Sequence, residues 1–567
     1  MTSEDLRRAQ DAIDREGDSG TPGGERKSQA TRLVEIAVIG ADLWRCDDEA
    51  WASVRVRGHA EHLPLKSRGF RDGYVVRSFY QQEGKAPGGQ ALTDAMNTLR
   101  GIALFDGEHH LVCTRIGGHD KAIYLDLANE AWEVVEITNT GWRIMTDCPV
   151  RFRHTKGMLA MPTPQRGGNI GELRGFVNVT DKDWPLLLGA LISMFRDLGP
   201  YPVLVLQGEH GSAKSTTARV LRMLVDPNGA PLRALPKDPR DLMIAATNSW
   251  MVALDNLSHI SPWLSDAMCR LSTGGGFSTR ELYTDDGEAI FDAQRPVIVN
   301  GIEELATRAD LLDRSIILYL PAISEEDRRQ EVVFWSEFER ARPYILGALL
   351  DAVVVALRDA DKMVMAKLPR MADFATWAMA AEPALGLARG VFMGVYTGNR
   401  DEANALVLES SPVATLIQQI AKGKEWSGTA TDLLNELTEL ASEKTRELKS
   451  WPKTPRTLSN VLRKLAPNLR AVGVDMNFAP SGGKRVISLG QVGIPSSPTS
   501  PASPSTPGLT GAVTQDHRNG DDEMTQDDAE VTMGKWAPRD ECDANDADDA
   551  RIPVLPKVEG MDYEEIF

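Results

Sequence analysis

The chain has 567 residues, enough for three or more domains, and its 42% hydrophobic content supports sizeable cores. No run of about 18 apolar residues is present, which argues against a membrane-spanning helix, and the polar N-terminus lacks the apolar core of a secretory signal. The net charge of −18 is uneven: residues 516–567 hold 17 Asp/Glu and 5 Lys/Arg, a net of −12, so the other 515 residues carry −6 and leave room for a basic surface that binds nucleic acid.

Residues 1–30 are rich in charge, Gly and Ser and read as a disordered lead-in. Cys46, Cys113, Cys148, Cys269 and Cys542 are far apart with no C-x-x-C pair, a pattern that argues against a zinc site or disulfide framework and fits a reducing cytoplasm. Residues 31–165 read as an α+β domain of unassigned role. A helix is expected around Thr93, and short β-like runs separated by turns make a β-meander over Leu111–Ile144. Trp132 and Trp142 suit its core better than a base-stacking platform. His109 and His110 are adjacent, so on a strand they face opposite sides and do not chelate one metal; both read as surface residues. Pro162–Gly168 is a linker, and Asp183 opens an apolar helix with Pro185 in its first turn.

The stretch Tyr201–Thr217 carries the clearest chemistry. Val203–Leu206 is an apolar run of the kind found in buried parallel strands, followed by Gly208, Glu209, His210, Gly211, Ser212, Ala213, Lys214, Ser215 and Thr216, then a helix-compatible run. Strand, glycine-containing loop, Lys-Ser and helix make a phosphate-binding loop whose backbone N–H groups face an anion. Lys214 can reach the β- and γ-phosphates of ATP, and the Ser215 hydroxyl can ligate Mg²⁺. The usual pattern has Gly where this chain has Ala213, which narrows the allowed backbone but keeps the N–H donor. A second apolar run ends in Asp255-Asn256, and Asp255 can hold Mg²⁺ through water. A third ends at Asn300, which can orient water against a γ-phosphate. Arg314 then precedes a fourth run and can act on a neighbouring subunit's nucleotide.

Loop, Asp255, Asn300 and Arg314 on successive strands resemble the AAA+ ATPase core, and more narrowly the superfamily III helicases of viruses, phages and mobile elements. Leu264–Tyr283 is similar to the L-x-x-L-T-G-G…R-x-L-Y stretch of their phage- and poxvirus-type primase-helicases. The resemblance covers about residues 170–325. It implies a hexameric homo-oligomeric ring, Asn300 as sensor 1, Arg314 as an arginine finger and a channel hairpin that contacts DNA. Here Glu281–Thr284 and Ala289–Phe291 would flank a turn at Asp285-Asp286-Gly287. Two departures stand out. Asn256 occupies a position that is usually acidic, and an amide cannot act as a general base, leaving Glu281 and Asp266 as unranked substitutes. The hairpin tip is acidic, which repels a phosphate backbone.

Residues 326–406 have apolar residues at helical spacing and read as a helical lid over the nucleotide, with Arg370 either a second sensor or a surface residue. Residues 411–489 show three helices and then Leu469–Val474 pairing with Val486–Leu489 across a basic turn, which resembles a winged helix. Arg456, Asn460, Arg463 and Lys464 would face DNA from the third helix, with Lys484 and Arg485 on the wing. The alternative is a helical protein-interaction domain. Residues 490–567 read as a disordered Pro/Ser-rich and then acidic tail, whose terminal Ile566-Phe567 could dock on a protein partner. The fold class expected is therefore α/β, with a P-loop AAA+ core and helical lid between an α+β domain and a winged-helix-like domain. The leading function is a cytoplasmic, non-membrane ATP- and Mg²⁺-dependent translocase on single-stranded or forked DNA. An ATP-dependent DNA-binding switch with weak hydrolysis and an AAA+ protein remodeller are the alternatives.

Overall fold

The structure, a computed structural model, describes residues 27–280, 288–291, 293–301, 308–365, 367–422, 425–448, 450–481 and 484–491, with side chains at all of these except 277–280, 288–291, 481 and 484. Glu281, the turn at 285–287 and the tail with Ile566 and Phe567 lie outside the described residues. It is a mixed α/β chain with several separate sheets. Among the described residues no helix is long and apolar enough to cross a membrane.

Ser28 caps the first described helix, Gln29–Gly40, its Oγ accepting the Thr31 N–H at 3.1 Å, so helix begins within the last residues of the expected lead-in. Strands β1 (Ala41–Cys46), β2 (Glu49–Val56) and β3 (His59–Pro64) form an antiparallel sheet in that order. Ala50, Ala52 and Val54 of β2 pack with Leu33 and Leu99 from the helices Gln29–Gly40 and Gly89–Phe105. The sequence reading missed this sheet for a physical reason. Its other face is also covered, so Trp44, Trp51, Ser53 and His62 take the places where a half-buried strand shows solvated polar residues.

The expected meander is present. β4 (Val112–Cys113) pairs with β9 (Arg151–Phe152), while β5 (Ile116–His119), β6 (Ala122–Asp126), β7 (Val134–Ile137) and β8 (Trp142–Met145) pair antiparallel in sequence order. Trp142 is buried, and its Nε1 donates to Asp351 at 2.8 Å. Trp132 is half-buried and stacks on His154 and His59, with ring centroids 3.7 and 5.6 Å away. His109 is exposed, and His110 is half-buried. It bonds the Arg151 guanidinium at 3.0 Å and sits edge-on to Trp44, because the chain there runs beside β1.

The four apolar runs from Val203 onward form one parallel sheet: β10 (Val203–Gln207), β11 (Val252–Leu257), β14 (Val297–Gly301) and β15 (Ser315–Tyr319), in spatial order β11-β14-β10-β15. Both faces are covered. Leu204, Leu206, Ile298 and Ile316 join a core shared with the meander and the helices Trp184–Ser193 and Glu331–Asp359. Val205, Val252 and Val299 pack on the other face against the helices Pro239–Thr247 and Pro262–Thr273. Between them, β12 (Phe277–Arg280) pairs with β13 (Glu288–Phe291), so the paired hairpin residues precede the Glu281–Thr284 run expected to form the first strand.

The helices Glu331–Asp359, Ala372–Ala381 and Val391–Glu409 follow. Most of this segment is core rather than lid: Leu346, Leu350, Phe374 and Phe392 are fully buried among the helices under the sheet. The C-terminal domain has the helices Pro412–Ala421, Ala430–Leu440 and Pro455–Ala471, the last capped by Thr454. Its sheet holds one strand that the sequence reading missed, β16 (Trp426–Thr429), with β17 (Val474–Ser481) and β18 (Lys484–Gln491), ordered β16-β18-β17. Leu469–Ala471 is helix, not strand. The third helix continues through Pro467 because Leu469 is fully buried and Asn468 bonds Asn404 at 2.8 Å.

Candidate functional site

The loop leaves β10 at its C-terminal end and enters the helix Lys214–Val225. Gly208 has φ 152°, and a Cβ there would lie 2.4 Å from the Leu320 carbonyl, so the chain exits the sheet where only glycine fits. Gly211 has φ 77°. Ala213 stands just before the helix at φ 58°, ψ 30°, in the left-handed region that the glycine of the usual pattern reaches at lower cost. The Glu209 carbonyl accepts from Ser212 Oγ at 2.8 Å, and Asn178 Nδ2 pins the Ser212 carbonyl at 3.0 Å. Lys214 is folded over its own loop, with Nζ donating to the carbonyls of Gly208 at 2.8 Å and Glu209 at 2.7 Å. Burial moves its ammonium below the usual range, against the pull of Asp255.

Three strand ends converge on this loop. Ser215 Oγ donates to Asp255 Oδ1 at 2.7 Å, joining the helix start to β11. β11 bulges just there: Asn256 adopts φ 57° and breaks the register with β14 between Leu254 and Leu257. Its N–H, freed from the ladder, donates to Asn300 Oδ1 at 2.7 Å. Asn300 lies beside Leu206 and is 1% exposed, and its Nδ2 is buried with no partner among the described residues. A cavity of about 300 Å³ is lined by His210 to Thr216, Asn256 and Asn300. Gly208 and Glu209 take part through backbone carbonyls and do not line it.

A second cavity of about 690 Å³ adjoins the first through Gly211, Ala213 and Thr216. Phe176, Asn178, Phe334 and Trp335 line it, Phe334 and Trp335 meeting edge to face with centroids 5.0 Å apart. The sequence reading missed these residues. Their one signal was the aromatic pair at the start of a helix that was otherwise read as lid.

Arg314 is not brought to this cavity. Its carbonyl accepts the Val203 N–H at 2.9 Å, at the opposite end of β10 from the loop, and its Nη1 donates to the Asp310 carbonyl at 2.7 Å. Arg370 is also remote, ion-paired with Asp313 at 3.2 Å beside Arg314, so within this chain it cannot sense the same nucleotide. Asp266 is paired with Arg308 at 2.9 Å and does not line the cavity.

In the C-terminal domain, Arg456, Asn460, Arg463 and Arg485 come together with Phe478 and Pro480 around a groove of about 780 Å³. The Arg463 guanidinium lies over the Phe478 ring, 5.6 Å from its centroid. Lys464 is exposed but does not line the groove, and the Lys484 side chain lies outside those described.

Residues 170–401 match the family model of the actinomycete integrative conjugative element replication protein, and residues 413–502 match that of the RepA C-terminal domain from the same elements. These are matches to a mobile-element replication protein. The first spans the parallel sheet and its loop, and the second spans the domain with the arginine-lined groove. No curated protein matches the chain. Among solved structures, the A-form apo structure of the NrS-1 C-terminal region aligns at 8% identity over 81% of this chain and 99% of that one, with a TM-score of 0.35. An apo structure of the same region, residues 305–718, aligns at 9% identity over 82% and 99%, with a TM-score of 0.34. Both likenesses are too loose to bear on fold or activity.

Proposed function

We propose that this replication protein binds ATP and Mg²⁺ at the loop Gly208–Thr216 and uses hydrolysis to move on single-stranded or forked DNA, as a homo-oligomeric ring of the AAA+ superfamily III type. The observation that carries the reading is the convergence on one cavity of Ser215, held by Asp255, and Asn300, whose Nδ2 has no partner among the described residues. A buried amide donor without a partner costs about 1–3 kcal/mol, a cost that an anionic ligand in the cavity removes.

Lys214 would turn from the loop carbonyls to the β- and γ-phosphates, and the loop N–H groups and helix start would hold the rest of the chain of phosphates. Ser215 and Asp255 present two adjacent oxygens that suit Mg²⁺, which supplies neutralisation of the phosphate charge. Asn300 would donate to the γ-phosphate or to the attacking water, and Asn256, whose N–H holds Asn300, would keep that donor aimed. Phe176, Phe334 and Trp335 would stack on the base in the adjoining cavity. Arg314, at the far end of the sheet, would serve a neighbouring subunit's nucleotide.

One observation favours a second reading, an ATP-dependent DNA-binding switch with weak hydrolysis. Asn256 replaces the usual acid, and among the described residues no carboxylate lines the cavity, Asp255 meeting it only through its bond to Ser215. The test is steady-state ATPase activity with and without single-stranded DNA, beside Lys214→Ala. DNA-stimulated hydrolysis lost in Lys214→Ala supports the motor. Tight binding without turnover supports the switch, and absence of both binding and turnover rules out each.

A further inference from the structure

A helix that reads duplex DNA projects into a major groove about 12 Å wide, so its reading face stands clear of its own domain. The face of Pro455–Ala471 that carries Arg456, Asn460 and Arg463 is exposed at those three residues but does not stand alone. It forms one wall of a cleft whose other wall is the β17–β18 hairpin, with Phe478, Pro480 and Arg485. The cleft holds about 780 Å³, within the range of about 300–1,000 Å³ for pockets that enclose small organic ligands. Three guanidinium groups line it and, among the described residues, no carboxylate does. Inside lies a half-buried aromatic ring, already stacked with Arg463. Positive charge for phosphate and a ring for a base are the two parts of a single-strand site.

We propose that this cleft captures an unpaired nucleotide of single-stranded DNA. The base stacks on Phe478 and extends the Arg463–Phe478 stack, and Arg456 and Arg485 hold the flanking phosphates. The side-chain amide of Asn460 has a donor and an acceptor to offer a base edge. This rests on the reading of the domain as DNA-binding and specifies the form of DNA it takes. Stacking accepts any base, so the site follows strand state rather than sequence.

The test is fluorescence anisotropy of the full chain, without nucleotide, on a labelled 12-nucleotide mixed-sequence strand and on its blunt duplex. Phe478→Leu keeps an apolar side chain of similar bulk but removes the ring. It should weaken single-strand binding about tenfold and leave duplex binding unchanged, with Phe478→Tyr restoring wild-type affinity. Arg485→Ala should reduce the salt dependence of single-strand binding by about one counterion. If Phe478→Leu leaves single-strand affinity intact while Arg456→Ala weakens duplex binding, the single-strand inference is overturned and the DNA-binding reading stands. If none of these variants changes binding to either form, both are overturned.

Discussion

Ala213 and Asn256 are the two non-glycine residues at the site with left-handed backbone, and each leads to a prediction. For an L-residue other than Asn or Asp this conformation costs about 1–2 kcal/mol, partly offset in a variant by the greater unfolded freedom of glycine. Ala213→Gly should therefore stabilise the module by about 0.5–1 kcal/mol in chemical denaturation, and a loss of stability would contradict the strained geometry. Asn256 is suited to its bulge, and Asp tolerates the same backbone. If the missing carboxylate limits turnover, Asn256→Asp should raise kcat about tenfold or more, while equal or lower kcat would remove the argument for weak hydrolysis. Asn300→Asp keeps the acceptor for the Asn256 N–H but loses the Nδ2 donor. ATP turnover should fall about 10²-fold, and undiminished turnover would show that Nδ2 faces nothing of consequence. Lys214, Ser215, Asp255 and Asn300 were legible in the sequence because each ends or follows an apolar run. That Asn256 holds Asn300 was not, because it depends on a bulge that no residue pattern announces.

The elements differ in how openly they show themselves. β10, β11, β14 and β15 are buried on both faces and so stand out as continuous apolar runs. β1–β3 are also covered on both faces, but one cover is polar and aromatic. There Ser53 Oγ accepts from Trp44 Nε1 at 2.9 Å and from Arg151 at 3.0 Å and lies 2.8 Å from His62 Nδ1. Burial, reinforced by Arg151, pulls His62 down to a pKa of about 4. A base whose folded pKa is depressed binds fewer protons than the unfolded chain, so its effect is absent above about pH 6.5 and destabilises the fold as pH falls from there towards 4. His62→Gln should flatten that part of the stability–pH curve, and an unchanged slope between pH 6.5 and 4 would contradict the buried, neutral imidazole. β16 was missed for a simpler reason: four residues between two helices are too few to show a period of two.

Across the whole molecule, the meander and the phosphate-loop helix are joined by buried charge. Arg115 and Arg222, both 0% exposed, converge on Asp226 at 3.2 Å each, where the helix Lys214–Val225 ends. Asp226 also accepts the N–H groups of Trp250 and Met251 at 3.0 and 3.1 Å. Burial moves Arg222 down to about 10 even with Asp226 beside it. Asp226→Ala strands two guanidiniums and should cost about 3–5 kcal/mol in urea unfolding, whereas Arg115→Met leaves the Arg222–Asp226 pair and should cost less. Equal costs would contradict a triad centred on the carboxylate. Nothing in the sequence pointed to this junction, since its members lie 111 and 4 residues from Asp226 and become partners only when the two layers pack.

The central claim is that nucleotide binds at this loop, and calorimetric titration of the purified chain with ATP and Mg²⁺ tests it most directly. The account predicts saturable binding that Lys214→Ala abolishes, and whose Mg²⁺ dependence Asp255→Asn removes. Wild-type affinity in both variants, or no binding by the wild-type chain, would contradict it.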